Sequence, residues 1–202
     1  MAQKRKINSA MRTVDMTLAA LFTALIALAG TVLKIHLPPP APDVSMQFCF
    51  CALAGVLLGG LSVLLYVALG LAGLPVFTQG GGPAYVLTPS FGYLIGFLFA
   101  AVLIGFVRER CEKLTGGLKI RHLLFGCIGG LLIVYLCGVG HMFLIKNFYL
   151  HDGLSLWAAV QAGMLIFVAQ DSLWCLFVAV VGGRLLKIKR SLARAHGAEA
   201  AK

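Results

Sequence analysis

The chain has 202 residues, 60% of them hydrophobic and 12% charged, with a formal net charge of +10. A mean hydropathy of +0.94 excludes an ordinary soluble domain, whose apolar share is lower. The charge does not indicate nucleic acid: 15 of the 17 Lys and Arg flank apolar stretches, and no basic helix interleaved with aromatics stands apart. They cluster at the N-terminus (Lys4, Arg5, Lys6, Arg12), in one mid-chain loop (Arg108, Arg110, Lys113, Lys119, Arg121) and in the C-terminal tail (Arg184, Lys187, Lys189, Arg190, Arg194, Lys202). A charge in the hydrocarbon core costs several kcal/mol, cytoplasmic loops collect Lys and Arg, and anionic lipid headgroups attract them. The pattern predicts an all-α multi-pass protein of the cell membrane.

Residues 1–13 read as a basic cytoplasmic segment. The apolar run from Thr17 to Leu33 is too long for the core of a secretory leader and lacks a small-residue cleavage site, so it reads as a first span. A spanning helix takes roughly 20 apolar residues, and six are placed near 14–35, 46–59, 61–76, 91–108, 121–145 and 156–186 within one transmembrane domain, 14–186, followed by a basic tail, 187–202. Gly59-Gly60 permits a tight turn between the second and third. Six crossings bring all three basic clusters to one side, with both termini in the cytoplasm. The outer side receives a Pro-rich loop at 37–43, a loop at 75–90 containing Gln79-Gly80-Gly81-Gly82-Pro83, and a loop at 146–155. The first should be stiff and extended, the second pliable. Together they make either a rim and lid over a cavity or mere connectors. No internal repeat supports an inverted-repeat transporter. Of the cysteines (Cys49, Cys51, Cys111, Cys127, Cys137, Cys175), five sit in apolar segments without zinc or disulfide spacing; they read as small hydrophobes.

Asp171 is the one carboxylate deep in an apolar span, since Asp15 sits at the inner end of the first. An ionisable intramembrane residue points to function, and a buried carboxylate accepts charge-assisted hydrogen bonds from ligand N–H groups; the alternative is a structural bond to a neighbouring helix. Trp174 shares its helix face. Gln47 and Gln79 each donate and accept, which suits a ureido, amide or pyrimidine-like edge. Tyr135 and His141 are polar points on the fifth span, where interhelical bonds are the commoner role. Lys34 and His36 could attract an anion or simply mark the membrane boundary. Ala20, Ala24 and Ala27 form a small-residue stripe that either packs within the chain or, if it faces outward, docks another membrane subunit. No phosphate-binding loop, His-Glu-x-x-His or Gly-x-Ser-x-Gly motif is present. The sequence therefore offers no means of using ATP, and active transport would draw on a partner or an ion gradient.

The segment Leu61-Ser62-Val63-Leu64-Leu65-Tyr66-Val67-Ala68-Leu69-Gly70-Leu71-Ala72-Gly73-Leu74-Pro75-Val76-Phe77, the Gly run and Gly92-Tyr93-Leu94-Ile95-Gly96-Phe97 resemble the BioY family, the biotin-specific S components of energy-coupling factor (ECF) vitamin transporters. The Pro-rich loop, Gln47, Tyr135-Leu136-Cys137-Gly138 and Asp171 fall in the expected order. The resemblance implies a six-helix S component that holds biotin near the outer face. It implies docking of a membrane coupling subunit on an Ala-x-x-x-Ala face, matched by Ala20 and Ala24, with two cytoplasmic ATPase subunits supplying energy. It implies biotin contacts from Asp171 and Gln79. The chain departs from the family at Ala169-Gln170, where Pro-Gly is usual, at Trp174, where a Lys is usual, and at Pro89-Ser90-Phe91-Gly92, where Thr-Gly-Gly is usual.

The expected function is a biotin-binding subunit with no catalysis and no cofactor beyond its transported ligand. Its fused rings would pack on Phe77, Tyr93 and Trp174, its ureido would meet Asp171 and Gln79, with Gln47 and Tyr135 nearby, and Lys34, His36, Lys146 or bulk water would balance its carboxylate. The alternatives are an S component for another vitamin or heterocycle, an intramembrane enzyme using His141 with a cysteine or Asp171, and a membrane scaffold.

Overall fold

The computed structural model describes residues 2–35, 44–115 and 117–199. Helix α1 spans Ala2–Thr31, α2 Gln47–Leu58, α3 Leu61–Leu71, α4 Phe91–Thr115, α5 Ile120–Leu144, α6 Leu156–Val160 and α7 Val168–Glu199. Two short strands, β1 (Lys34–Ile35) and β2 (Val44–Ser45), pair antiparallel between α1 and α2, with Lys34 opposite Ser45. The Pro-rich loop and His36 lie outside the described residues, as does the side chain of Lys34. Segments Thr13–Thr31, Phe91–Leu114 and Ile120–Tyr149 are long and apolar enough to cross a membrane, and α6 with α7 makes a fourth if the bent pair is one span. Helices α2 and α3, at 12 and 11 residues, are shorter apolar rods.

Helix α2 is apolar all round because it is central. It buries Phe48, Cys49 and every residue from Cys51 to Leu57 against α1, α3, α4 and α7. A helix with no polar face has nowhere to go but the interior. Helices α4 and α5 pack along most of their lengths through small residues, as helices in lipid do. A Cβ at Gly96 would lie 2.7 Å from Val134 Cα, and one at Gly130 would lie 3.2 Å from Ala100 Cβ.

Gly59 has φ 66° and joins α2 to α3. That region is strained for any residue with a Cβ, so the expected Gly-Gly turn is present. The third helix stops at Leu71, short of the expected 76. Gly73 takes φ 108°, and its N–H bonds the Gly70 carbonyl at 3.2 Å while the Leu74 N–H bonds that of Leu69 at 3.2 Å. This is a Schellman closure, and Pro75 beyond it cannot continue a helix.

The last span is broken where continuity from 156 to 186 was expected. Ser155 caps α6 by accepting from the Ala158 N–H at 3.2 Å. A π-turn follows over Gln161–Leu165, and α7 departs at 41°. At the break the Phe167 N–H turns to the Met164 carbonyl at 3.0 Å, and the Gly163 carbonyl accepts from the Tyr93 hydroxyl at 2.8 Å.

Basic residues of α4 and α7 meet at one end of the bundle, beside Asp15 of α1. Arg108 Nη1 donates to the Val56 carbonyl at 2.6 Å, and Lys189 Nζ donates to that of Leu57 at 2.5 Å. Two cations thus satisfy terminal carbonyls of α2, where the helix dipole is negative. Lys189 also pairs with Asp15 on α1 at 2.6 Å. Arg190 forks onto Glu112 at 2.5 and 2.7 Å, tying α7 to α4.

Candidate functional site

The opposite end carries a cavity of about 590 Å³, counted out to its open mouth. The N-terminal ends of α2, α4 and α7 converge on it. Its polar lining is Ser45 on β2, Gln47 at the start of α2, Thr78, Tyr85 and Ser90 from the α3–α4 loop, Tyr93 on α4, Tyr135 on α5 and Asp171 on α7. Phe48, Leu94, Phe97 and Phe167 supply the apolar wall. An apolar pocket with a few convergent polar groups is the usual form of a small-molecule site.

Asp171 lies in the first turn of α7, its N–H bonded to the Phe167 carbonyl at 2.9 Å. The bend converts a mid-span position into a helix start, where orphan N–H groups and the dipole favour negative charge. Its Oδ2 accepts from the Tyr135 hydroxyl at 2.7 Å, a length typical of a charge-assisted bond. The carboxylate retains acceptor capacity facing the cavity.

Gln47 is buried, and its amide is partly committed within the protein. Nε2 donates to Tyr66 Oη at 2.8 Å and toward the Ile26 carbonyl at 3.4 Å, while Oε1 stands 3.4 Å from Ser45 Oγ. Tyr66 in turn donates to the Val76 carbonyl at 3.2 Å. Gln47 therefore links the cavity floor to the α3–α4 loop.

That loop is held by hydrogen bonds where pliability was expected. The Phe77 N–H bonds the Gly80 carbonyl at 2.9 Å, and the Gly82 N–H bonds that of Gly70 at 2.7 Å. A short helical turn at Pro83–Leu87 carries Tyr85 inward. Its hydroxyl stands 2.7 Å from Thr78 Oγ1 and 3.1 Å from Ser90 Oγ. Of the two readings of the loops, rim or connector, this one forms a rim.

Three expected ligand contacts lie outside the lining. Gln79 is exposed at the loop tip, turned out by the Phe77–Gly80 bridge. Phe77 is fully buried between Tyr66 and Tyr85, with ring centroids 5.4 and 4.6 Å away, so it supports Tyr85 from behind. Trp174 packs edge-on against Phe177 at 6.0 Å; nearly two turns beyond the bend, it does not line the cavity. His141 packs beneath the loop against Phe91 at 5.9 Å and does not line the cavity either. Lys146 is engaged with Asp152 at 2.9 Å. The sequence reading missed the hydroxyls of Ser45, Thr78, Tyr85 and Ser90. Their signal was weak, because such residues are ordinary in loops.

Ala20 and Ala24 are exposed on α1, and Ala27 is half-buried against the core. Cys49, Cys51, Cys127 and Cys175 are buried and unbridged. Among the described residues no group of His, Cys, Asp and Glu stands positioned to hold a metal ion.

A bundle of apolar helices with a polar-lined cavity open at one end defines a membrane-embedded small-molecule-binding protein. The BioY family profile matches residues 2–191, and the chain belongs to that family. It is 40% identical over 183 residues to a probable biotin transporter BioY of Lysinibacillus sphaericus, covering 89% of this chain and 90% of the relative. It is 36% identical over 174 residues to the biotin transporter BioY of Thermotoga maritima, covering 85% and 95%. The crystal structure of the S-component for biotin from an ECF-type ABC transporter aligns with a TM-score of 0.74 at 29% identity, covering 87% of this chain and 92% of that one.

Proposed function

We propose that this chain is the biotin-binding S component of an ECF-type importer in the plasma membrane, without catalytic activity of its own. The observation that carries the reading is the Asp171–Tyr135 pair facing the cavity, joined to membership of the BioY family. Asp171 accepts the ureido N–H groups of biotin, and Tyr135 holds the carboxylate in place. Tyr93 and the phenylalanine wall pack on the fused rings, and Gln47 offers the oxygen of its amide. Gln79 takes part if the loop tip turns inward on binding.

The chain crosses the membrane six times, counting α2 and α3 and taking α6 with α7 as one bent span. The basic end lies in the cytoplasm with both termini, and the cavity opens outside. A membrane coupling subunit docks on the outward face of α1 at Ala20 and Ala24, with Ala27 at its edge, and two cytoplasmic ATPase subunits supply energy. The exposure of Ala20 and Ala24 supports that docking.

The test is equilibrium binding of labelled biotin to the purified chain. Asp171→Ala should weaken it by more than tenfold, since hydrogen bonds to a charged group are worth roughly 1.5–3 kcal/mol. Undiminished affinity in Asp171→Ala removes that residue from the site. A competition panel of biotin, desthiobiotin and unrelated vitamins checks the ligand. Displacement by a different heterocycle, with biotin inert, favours the second reading, an S component for another vitamin, which the altered residues Ala169, Gln170 and Trp174 motivate. Stable partner association without any ligand would leave a scaffold.

A further inference from the structure

The described lining of the cavity contains one ionisable acid, Asp171, and no Lys, Arg or His. A ligand bearing both a ureido and a carboxylate must seat the second group somewhere other than beside Asp171, because like charges in a half-buried site repel and each is costly to desolvate. The remaining polar groups are neutral. Three of them form one continuous chain of hydroxyls, Thr78–Tyr85–Ser90, with contacts of 2.7 and 3.1 Å. The chain belongs to the α3–α4 loop, whereas Asp171 and its partner Tyr135 belong to α7 and α5.

The hydroxyl chain is well fixed. Phe77 packs behind the Tyr85 ring at 4.6 Å and Phe91 beside it at 6.4 Å. Thr88 Oγ1 donates back to the Tyr85 carbonyl at 2.7 Å and stands 3.4 Å from Ser90 Oγ, so it presents an acceptor lone pair toward Ser90. A hydroxyl donates one hydrogen and accepts two, and it rotates to suit its partner. In both contacts of the chain either oxygen can be the donor. The chain serves a carbonyl or carboxylate oxygen as a donor and an amide N–H as an acceptor.

Resting on the biotin reading above, we propose that Thr78, Tyr85 and Ser90 receive the polar end of the ligand's side chain through neutral hydrogen bonds. The site then selects the ureido strongly and the charge of the tail weakly. Amide and ester derivatives of biotin bind nearly as well as the free acid.

The experiment measures equilibrium binding of biotin, biotinamide and biotin methyl ester to the full-length chain in detergent, for wild type, Tyr85→Phe and Ser90→Ala. The expected wild-type result is biotinamide within about threefold of biotin, with each hydroxyl deletion weakening both by about three- to tenfold, the range of one neutral hydrogen bond. Free acid favoured by a hundredfold or more reveals a cation at the tail and overturns the proposal. Equal affinities that neither substitution changes place the tail in solvent and overturn it too. The wild-type comparison decides the matter even where a variant fails to fold, and unliganded melting curves identify that case. Failure of wild type to bind biotin and both derivatives sinks the biotin reading itself, a distinct outcome.

Discussion

Tyr135→Phe deletes one oxygen and leaves the ring, so its effect reports on the bond to Asp171 with little repacking. That bond is 2.7 Å long and joins a phenol to a carboxylate. Hydrogen bonds to charged groups contribute roughly 1.5–3 kcal/mol to stability. Asp171 is only half-buried and lines an open cavity, so water replaces part of what is lost, and the expected destabilisation is about 1.5 kcal/mol. The acid must also be present for the phenol to matter. Tyr135→Phe in an Asp171→Ala background should cost less than in wild type, giving a coupling of about 1–2 kcal/mol in a double-mutant cycle. Unfolding free energies in mixed micelles for the four proteins measure it. Biotin affinity should fall by about three- to tenfold in Tyr135→Phe, which leaves the carboxylate in place but unsteadied, and by more in Asp171→Ala. A cycle that closes within about 0.5 kcal/mol, as it does for independent sites, refutes the account of Tyr135 as the group that holds Asp171.

Gly55→Ala puts a Cβ 2.9 Å from both Cα and the carbonyl oxygen of Ala101, where only backbone can yield; overpacking of this kind costs roughly 1–3 kcal/mol, read as a lowered unfolding free energy. Gly59→Ala meets open space but forces φ 66°, ψ −141° on alanine, a region nearly confined to glycine, so it should cost about 1–3 kcal/mol through backbone strain alone, and an unchanged unfolding free energy refutes that reading of the turn. Lys189→Met removes a cap from α2 and the partner of Asp15; it should cost about 1–2 kcal/mol yet leave biotin affinity unchanged, because the cavity is at the other end of the bundle, and binding that weakens in step with stability counts against that separation. Ala24→Trp adds bulk to an exposed face, so biotin binding should persist while co-purification with a coupling subunit is lost; retention of the complex moves the docking face elsewhere.

The helical architecture was legible because its signals are long. Some twenty apolar residues between charges need no tertiary information, and the Gly59-Gly60 turn is written in two residues that tolerate φ 66°. Among the expected residues that line the cavity, Tyr93 was reached through the family resemblance and the others because they were out of place. Asp171 among apolar neighbours marks itself, and Gln47 and Tyr135 do so more faintly. Phe77 and Trp174 were expected as aromatic walls and Gln79 for its amide and the family resemblance, and where their side chains lie depends on features with no local signature. The Phe77–Gly80 bridge turns Gln79 outward, and the bend near Phe167 brings the first turn of α7, with Asp171, to the cavity, while Trp174 lies a further turn along the helix and outside the lining. No proline marks that bend; it rests on the π-turn and on Tyr93 reaching the Gly163 carbonyl from another helix. Tyr85 and Ser90 were missed for the opposite reason, since hydroxyl residues in a loop are expected whether or not they line anything.

The two ends of the molecule divide the work. At the basic end, contacts from α1, α4 and α7 converge on the last turn of α2 and on one another. Helix α2 is buried along its length and delivers Gln47 to the cavity floor from that anchored base. Asp171 and Tyr135 likewise sit on helices. The acid, phenol and amide that line the cavity are therefore carried by helices, which hold a binding geometry more closely than loops do. Thr78, Tyr85 and Ser90 come from the loop, which is tied to the floor through Val76, Tyr66 and Gln47. A ligand shifts a conformational equilibrium only through contacts that differ between its states. If the loop is the part that moves, biotin-dependent changes in hydrogen exchange will be confined to residues 75–90 and absent from α2 and the start of α7.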